Sequence, residues 1–235
     1  MNARRRKNSS PRSQAKVRLA VGDHLAEREH FEEAIEQYKQ AIDLDGRNAE
    51  GHVRLGDAYL ASGHEKQALK AYRRALRMAP RHASSYLGLS DFLLYRGRFK
   101  AARVALKQAV DCEPDRAYYH YRLSWFYLNL GKTDLAQKSL RRAVELAPDD
   151  GFYHYKLGEV YFYQGNWSSA ASEYGAAVQC SPCDDFYHLR LASVYVRQQL
   201  YDEALAMFER TVEIDPDNPA YHYLLGEHLE LMGKS

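Results

Sequence analysis

One alanine returns every 34 residues along this chain, at Ala34, Ala68, Ala102, Ala136, Ala170 and Ala204. A second series on the same step runs Ala41, Ala75, Ala109, Ala143 and Ala177, with Thr211 in the sixth slot. Proline keeps the period at Pro80, Pro114, Pro148, Pro182 and Pro216, with Gly46 in the first slot. Val21, Leu55, Leu89, Leu123, Leu157, Leu191 and Leu225 form a further series, and a small residue follows each: Gly22, Gly56, Ser90, Ser124, Gly158, Ala192 and Gly226. Six units of equal length, without an insertion, confine the chain to folds that stack one supersecondary element on copies of itself.

Each unit reads as two short helices. From Glu50 to Ser62, the residues His52, Leu55, Gly56 and Tyr59 fall at helical spacing. Gly63 breaks the chain, and Ala68, Leu69, Tyr72 and Ala75 mark a second helix from Glu65 to Met78. Pro80 stops it, because proline cannot continue the backbone ladder. Asp and Asn beyond the proline, as at Asp149–Asp150 and Asp217–Asn218, suit the cap of the next helix. The small residues let two helix backbones approach closely, where a larger side chain would overpack the pair.

Leu55, Gly56, Tyr59, Ala68, Tyr72, Ala75 and Pro80 on a 34-residue period resemble the tetratricopeptide repeat (TPR) pattern. The resemblance covers repeats 15–48, 49–82, 83–116, 117–150, 151–184 and 185–218, and continues through Tyr221, His222, Leu225, Gly226 and Leu229. It implies an all-α fold, an α-α superhelix (TPR solenoid) of six full 34-residue helix-turn-helix repeats plus one terminal helix over 219–232. Residues 1–14 are expected to be a basic, disordered tail.

Charge divides unevenly. Six of the 33 basic residues (Arg4, Arg5, Arg6, Lys7, Arg12, Lys16) lie in the first sixteen positions, which hold no acid, leaving 27 against 31 acids elsewhere. The pI near 8.3 therefore reflects a basic tail on a mildly acidic body, which argues against a nucleic-acid-binding domain. No apolar run approaches the roughly 20 residues of a membrane-spanning helix, and no apolar core follows the first charges as in a secretory signal. Three cysteines are too few for a disulfide framework, so the expected location is cytoplasmic.

Function is expected on positions that packing leaves free. In TPR proteins the side of the first helix opposite its signature residues lines a concave groove. The early repeats place Leu19, Asp23, Val53, Arg54, Asp57, Leu87 and Asp91 there, a modest and partly acidic set. The middle repeats supply Tyr118, Tyr121, Arg122, Trp125 and Asn129, then Phe152, Tyr155, Lys156, Glu159, Phe162 and Tyr163, followed by Phe186, Arg190 and Arg197. Aromatic and arginine side chains dominate binding hot spots. Arg122, Lys156 and Arg190 recur on the period and should form a row. One reading is a groove for an extended, apolar or aromatic protein or peptide segment with some acidic character. The other is that the aromatics fill gaps between helices while the cations pair with Glu159 and similar acids. The TPR clamp that grips chaperone C-termini needs Lys at the fifth position and Asn or Arg at the ninth; Leu19, Val53 and Tyr121, with Asp23, Asp57 and Trp125, do not supply it.

Candidate chemistry is sparse. His52, His120, His154, His188 and His222 share the fourth repeat position, about 10 Å apart on neighbouring helices, whereas zinc gathers ligands at about 2 Å; packing is their expected role and no metal is expected. Cys180 and Cys183 form a C-x-x-C at a helix end with no strand before it, which does not suit a redox motif. Gly233-Lys234-Ser235 lacks the spacing and strand of a phosphate loop. No catalytic constellation assembles, so the chain is expected to be a non-catalytic protein–protein interaction scaffold or adaptor without a cofactor. The alternative is a substrate-recruiting or regulatory region of a larger enzyme, and a third reading is self-association through exposed aromatics.

Overall fold

The computed structural model describes residues 10–233. Among them are thirteen helices and no strand: α1 (Pro11–Glu27), α2 (Phe31–Leu44), α3 (Ala49–Ala61), α4 (Glu65–Met78), α5 (Ala83–Tyr95), α6 (Phe99–Cys112), α7 (Ala117–Asn129), α8 (Thr133–Leu146), α9 (Gly151–Tyr163), α10 (Trp167–Cys180), α11 (Asp185–Arg197), α12 (Tyr201–Ile214) and α13 (Pro219–Leu231). They divide into a first compact unit ending at Pro114, with α1–α6, and a second starting at Asp115, with α7–α13. Within each unit every helix packs on its sequence neighbours.

The boundaries follow from local chemistry. Each second helix stops two residues short of the periodic proline, and the residue between is pushed toward extended backbone: Ala79, Glu113, Ala147, Ser181 and Asp215 have φ between −130° and −141°. Asp150 and Asn218 cap the following helices as expected, accepting from the N–H of Phe152 at 3.0 Å and of Ala220 at 3.1 Å. Between the two helices of a pair, the fifteenth repeat residue turns left-handed. Gly63, Gly97, Gly131 and Gly165 hold φ from 66° to 80° there, while Glu29 and Gln199 hold 62° without being glycine.

The first helix begins at Pro11, four residues ahead of the expected repeat boundary, so Pro11–Gln14 are helical and not part of a disordered tail. Ser10 starts it by accepting from the N–H of Ser13 at 3.2 Å, and proline is well tolerated in a first turn. Arg4–Lys7 lie outside the described residues.

The cores repeat as the sequence does. Tyr72 is fully buried between Ala68 and Ala75, and its ring covers two glycines. A β-carbon on Gly56 would stand 2.6 Å from that ring, and one on Gly88, at the start of the next pair, 2.5 Å. Leu19 and Val53, expected on the groove, are instead only 6% and 4% exposed. The fifth position points at the adjoining repeat: Leu19 packs with Leu55, and Val53 with Phe92 as well as with Tyr72 of its own repeat.

Candidate partner-binding surfaces

The candidate residues fall into two sets, one in each unit. In the first, Arg54 is tied down by acids: its guanidinium donates to Asp23 of the preceding repeat and, at 3.2 Å, to Glu50 one turn back. Tyr38 also donates to Asp23, at 2.9 Å, and Tyr72 donates to Asp57 at 2.6 Å. Asp23, Glu27, Phe31, Tyr38, Arg54 and Asp57 line an open cleft of about 470 Å³.

The second unit repeats this device once and then departs from it. Glu159 accepts from the phenol of Tyr174 and from Arg190, whose Nε lies 2.9 Å away. Arg190 also stacks over Phe162 and Tyr174, 5.0 and 5.6 Å from the ring centres. Burial and the Glu159 contact hold the Tyr174 phenol well above the ordinary tyrosine range, and burial followed by the Glu159 charge pushes Tyr155 up to about 12. Arg190 is thus the ion-pair partner that one reading of the sequence anticipated.

Arg122 and Lys156 lean on aromatic faces. Arg122 lies 5.8 Å from the Tyr118 ring centre and 5.9 Å from that of Trp125, and donates to the Tyr118 hydroxyl at 3.0 Å. The Lys156 ammonium sits 4.7 Å from the Tyr155 centre and 5.3 Å from that of Phe152. Arg197 lies 5.9 Å from the Trp167 ring centre. The three periodic cations therefore do not share one environment.

The aromatics also divide. Tyr121 meets Phe152 edge-on at 5.0 Å, and Tyr155 meets Phe186 at 5.2 Å and stacks on Tyr187 at 5.7 Å. These fifth-position tyrosines are half-buried and seal the seam between repeats. Tyr118, Trp125, Phe152, Tyr163 and Phe186 keep between 36% and 80% of their surface exposed. Asn129 folds back on its own helix, donating to the Trp125 carbonyl at 2.9 Å.

Residues 2–214 match the sequence pattern described as the cilia and flagella-associated protein 70 C-terminal domain. The chain belongs to this CFAP70 TPR family. A comparison with curated proteins gave no match. Among solved structures, the CFAP70-family chain is similar to Pseudomonas aeruginosa PilF, at 18% identity and a TM-score of 0.67, covering 93% of this chain and 100% of that one. It is similar to TTC0263, a thermophilic TPR protein of Thermus thermophilus, at 25% identity and a TM-score of 0.61, over 77% and 99% of the two chains. It is also similar to YrrB, described as a TPR protein with an unusual peptide-binding site, at 21% identity and a TM-score of 0.58, over 80% and 96%. Helix pairs of the TPR kind, without strands among the described residues, are the fold of this CFAP70-family chain. That fold suits protein–protein interaction.

The remaining sequence motifs take structural places in it. The fourth-position histidines brace the turns: Nε2 of His154, His188 and His222 lies 3.0, 3.0 and 2.8 Å from the carbonyl of the proline six residues earlier. Sequence reading expected packing and missed this bond, although the constant six-residue step from proline to histidine carries it. No group of three metal-ligating side chains occurs among the described residues. Cys180 ends α10, its Sγ 3.7 Å from the Pro148 carbonyl, and Cys183 is exposed in the turn beyond. Among the described residues, no helix is long and apolar enough to cross a membrane.

Proposed function

We propose that this chain is a non-catalytic adaptor that holds an extended segment of a partner protein on the first-helix faces of its second unit, and that it works in cilia or flagella, the setting carried by the family's name. One observation supports the binding surface: Tyr118, Trp125, Phe152 and Phe186 stay exposed on consecutive repeats, with Arg122 laid over Tyr118 and Trp125 and Lys156 over Phe152. Rings of this size bury large area at small entropic cost. The cations between them favour carboxylates on the ligand. The ligand class is therefore a segment with spaced apolar side chains and intervening Asp or Glu. The peptide-binding site in the description of YrrB is consistent with that use of the fold.

The test pairs the wild type with a Tyr118→Ala/Trp125→Ala/Lys156→Ala variant in affinity capture from an extract of ciliated cells, followed by titration of the captured segment. Tyr121 stays intact because it seals a seam. A ligand lost by a variant of unchanged helicity and melting temperature supports the proposal. Equal capture by both proteins sinks it.

A further inference from the structure

The mildly acidic total of the chain's body conceals a stretch of opposite sign in the first unit. Residues 66–107 carry eleven basic side chains and a single acid, Asp91, in a chain whose net charge is +2. All eleven are exposed. On α4, Lys66, Lys70, Arg73, Arg74 and Arg77 fall within about 100° of arc, a stripe roughly 16 Å long. On α6, Lys100 and Lys107 repeat the positions of Lys66 and Arg73, with Arg103 beside them. The opposite side of α4 is packed into the core through Ala68, Ala71, Tyr72 and Ala75.

Other second helices neutralise this stripe, and α4 does not. Arg142 of α8 and Arg210 of α12 stand at the repeat position of Arg74. Each donates to a glutamate three residues on, Glu145 at 3.1 Å and Glu213 at 2.7 Å. In α4 that next place holds Arg77. Like charges three and four residues apart weaken a helix, so the fold carries the stripe at a cost. Of the eleven cations, Arg96 alone makes an ion pair among the described residues, with Glu65 at 2.6 Å. Arg96 also borders a cleft of about 250 Å³, with Lys66 and Arg98 beside it and Leu69 and Phe92 in its lining.

We infer that this face of the first unit docks an acidic segment of a partner protein, with carboxylates along the two stripes and one apolar side chain in the cleft. Charge complementarity selects the occupant. Bases of a single strand need exposed rings to stack on, and none stands among the exposed side chains of α4. A bilayer would need an apolar helix face to enter, and that of α4 is buried. A carboxylate-rich segment needs neither, and an apolar side chain within it suits a cleft lined by Leu69 and Phe92. The site is separate from the aromatic surface of α7 and α9.

The probe is a fluorescein-labelled peptide of ten glutamates around one central leucine, titrated by anisotropy into the full chain. Saturable binding is expected, tightening as salt is lowered. It should weaken at least tenfold with Lys70→Glu/Arg73→Glu/Arg77→Glu, and about threefold when glycine replaces the leucine. The three residues are exposed and the substitutions relieve like-charge repulsion, so the variant keeps its fold, checked by circular dichroism. Trp125→Ala should leave this binding unchanged. Absence of saturable binding overturns the inference, as does equal binding by the triple variant, an equal loss with Trp125→Ala, or indifference to the leucine. Tighter binding of an oligouridylate, a DNA duplex or phosphatidylserine vesicles at matched charge also overturns it, by giving the face to nucleic acid or membrane.

Discussion

Tyr72 donates a 2.6 Å hydrogen bond to Asp57, fifteen residues earlier in the same helix pair, while its ring lies against Gly56. The ring supplies the packing and the hydroxyl settles its orientation. Tyr72→Phe keeps the first and loses the second, so it should lower stability by about 1 kcal/mol. Gly56→Val forces methyl groups into the ring and should cost about 1–3 kcal/mol. Urea midpoints of both variants check the order; a phenylalanine variant less stable than the valine one contradicts it.

Alkaline stability is set by the same phenols. Tyr38, Tyr72 and Tyr174 hold their protons well above the ordinary range, with burial the first cause in each and the neighbouring carboxylate next. Unfolded tyrosines ionise near pH ~10. Above that the unfolded chain releases protons that the folded chain retains, so stability is full below about pH 10 and falls as pH rises toward the folded values. Melting temperature measured from pH 8 to 11.5 should decline over the upper part of that range, and less steeply for Tyr174→Phe.

Glu29 and Gln199 occupy a left-handed turn position at φ 62° that four other repeats fill with glycine. A side chain there carries strain of roughly 1–2 kcal/mol, partly offset by the entropy that glycine loses on folding. Glu29→Gly and Gln199→Gly should each stabilise by about 0.5–1 kcal/mol, raising the melting temperature. The reverse change, Gly131→Gln, should lower it.

Arg190 and Lys156 share a repeat position and should respond differently. Arg190→Ala removes the cation from Glu159 in a largely covered site and should cost about 1.5–3 kcal/mol. Arg190→Lys should not fully restore it, since an ammonium cannot reproduce the guanidinium fork. Lys156→Ala should change stability by no more than about 0.5 kcal/mol, yet weaken a carboxylate-bearing ligand. Thermal melts and ligand titration of the three variants separate the two roles.

Trp125→Ala tests the aromatic surface alone. Its ring is 44% exposed and lies under Arg122. Stability should shift by no more than about 1 kcal/mol, while affinity for the captured segment falls tenfold or more. A large loss of stability with unchanged affinity would assign the ring to packing.

The repeat and the helix pairs were legible in the sequence because alanine, glycine and proline recur where backbone geometry demands them. The surface was legible only in part. Position along a helix separated Trp125 and Tyr118 from the core, but could not tell that Tyr121 and Tyr155 meet the next repeat. That depends on how pairs stack, which a single helical wheel does not contain. The Asp23–Tyr38–Arg54 and Glu159–Tyr174–Arg190 sets had a usable signal: acid and tyrosine fifteen residues apart, with arginine 31 after the acid. At the first helix, Ser10 and Pro11 outweighed the neighbouring run of basic residues, whose local charge says little about where a helix starts.

Among the described residues of each unit, side-chain ties join a repeat to its neighbour. Arg190 reaches Glu159 across 31 residues, and Tyr221 reaches Asp185 across 36. Pulled from its ends, a unit held by such neighbour-to-neighbour ties should give way at them in turn. It should yield one repeat at a time, each 34-residue unit releasing roughly 110 Å of extended chain, and re-form in the same steps when tension falls. Under mechanical load each unit should behave as a serial spring, whose weakest repeat sets the force at which it first extends.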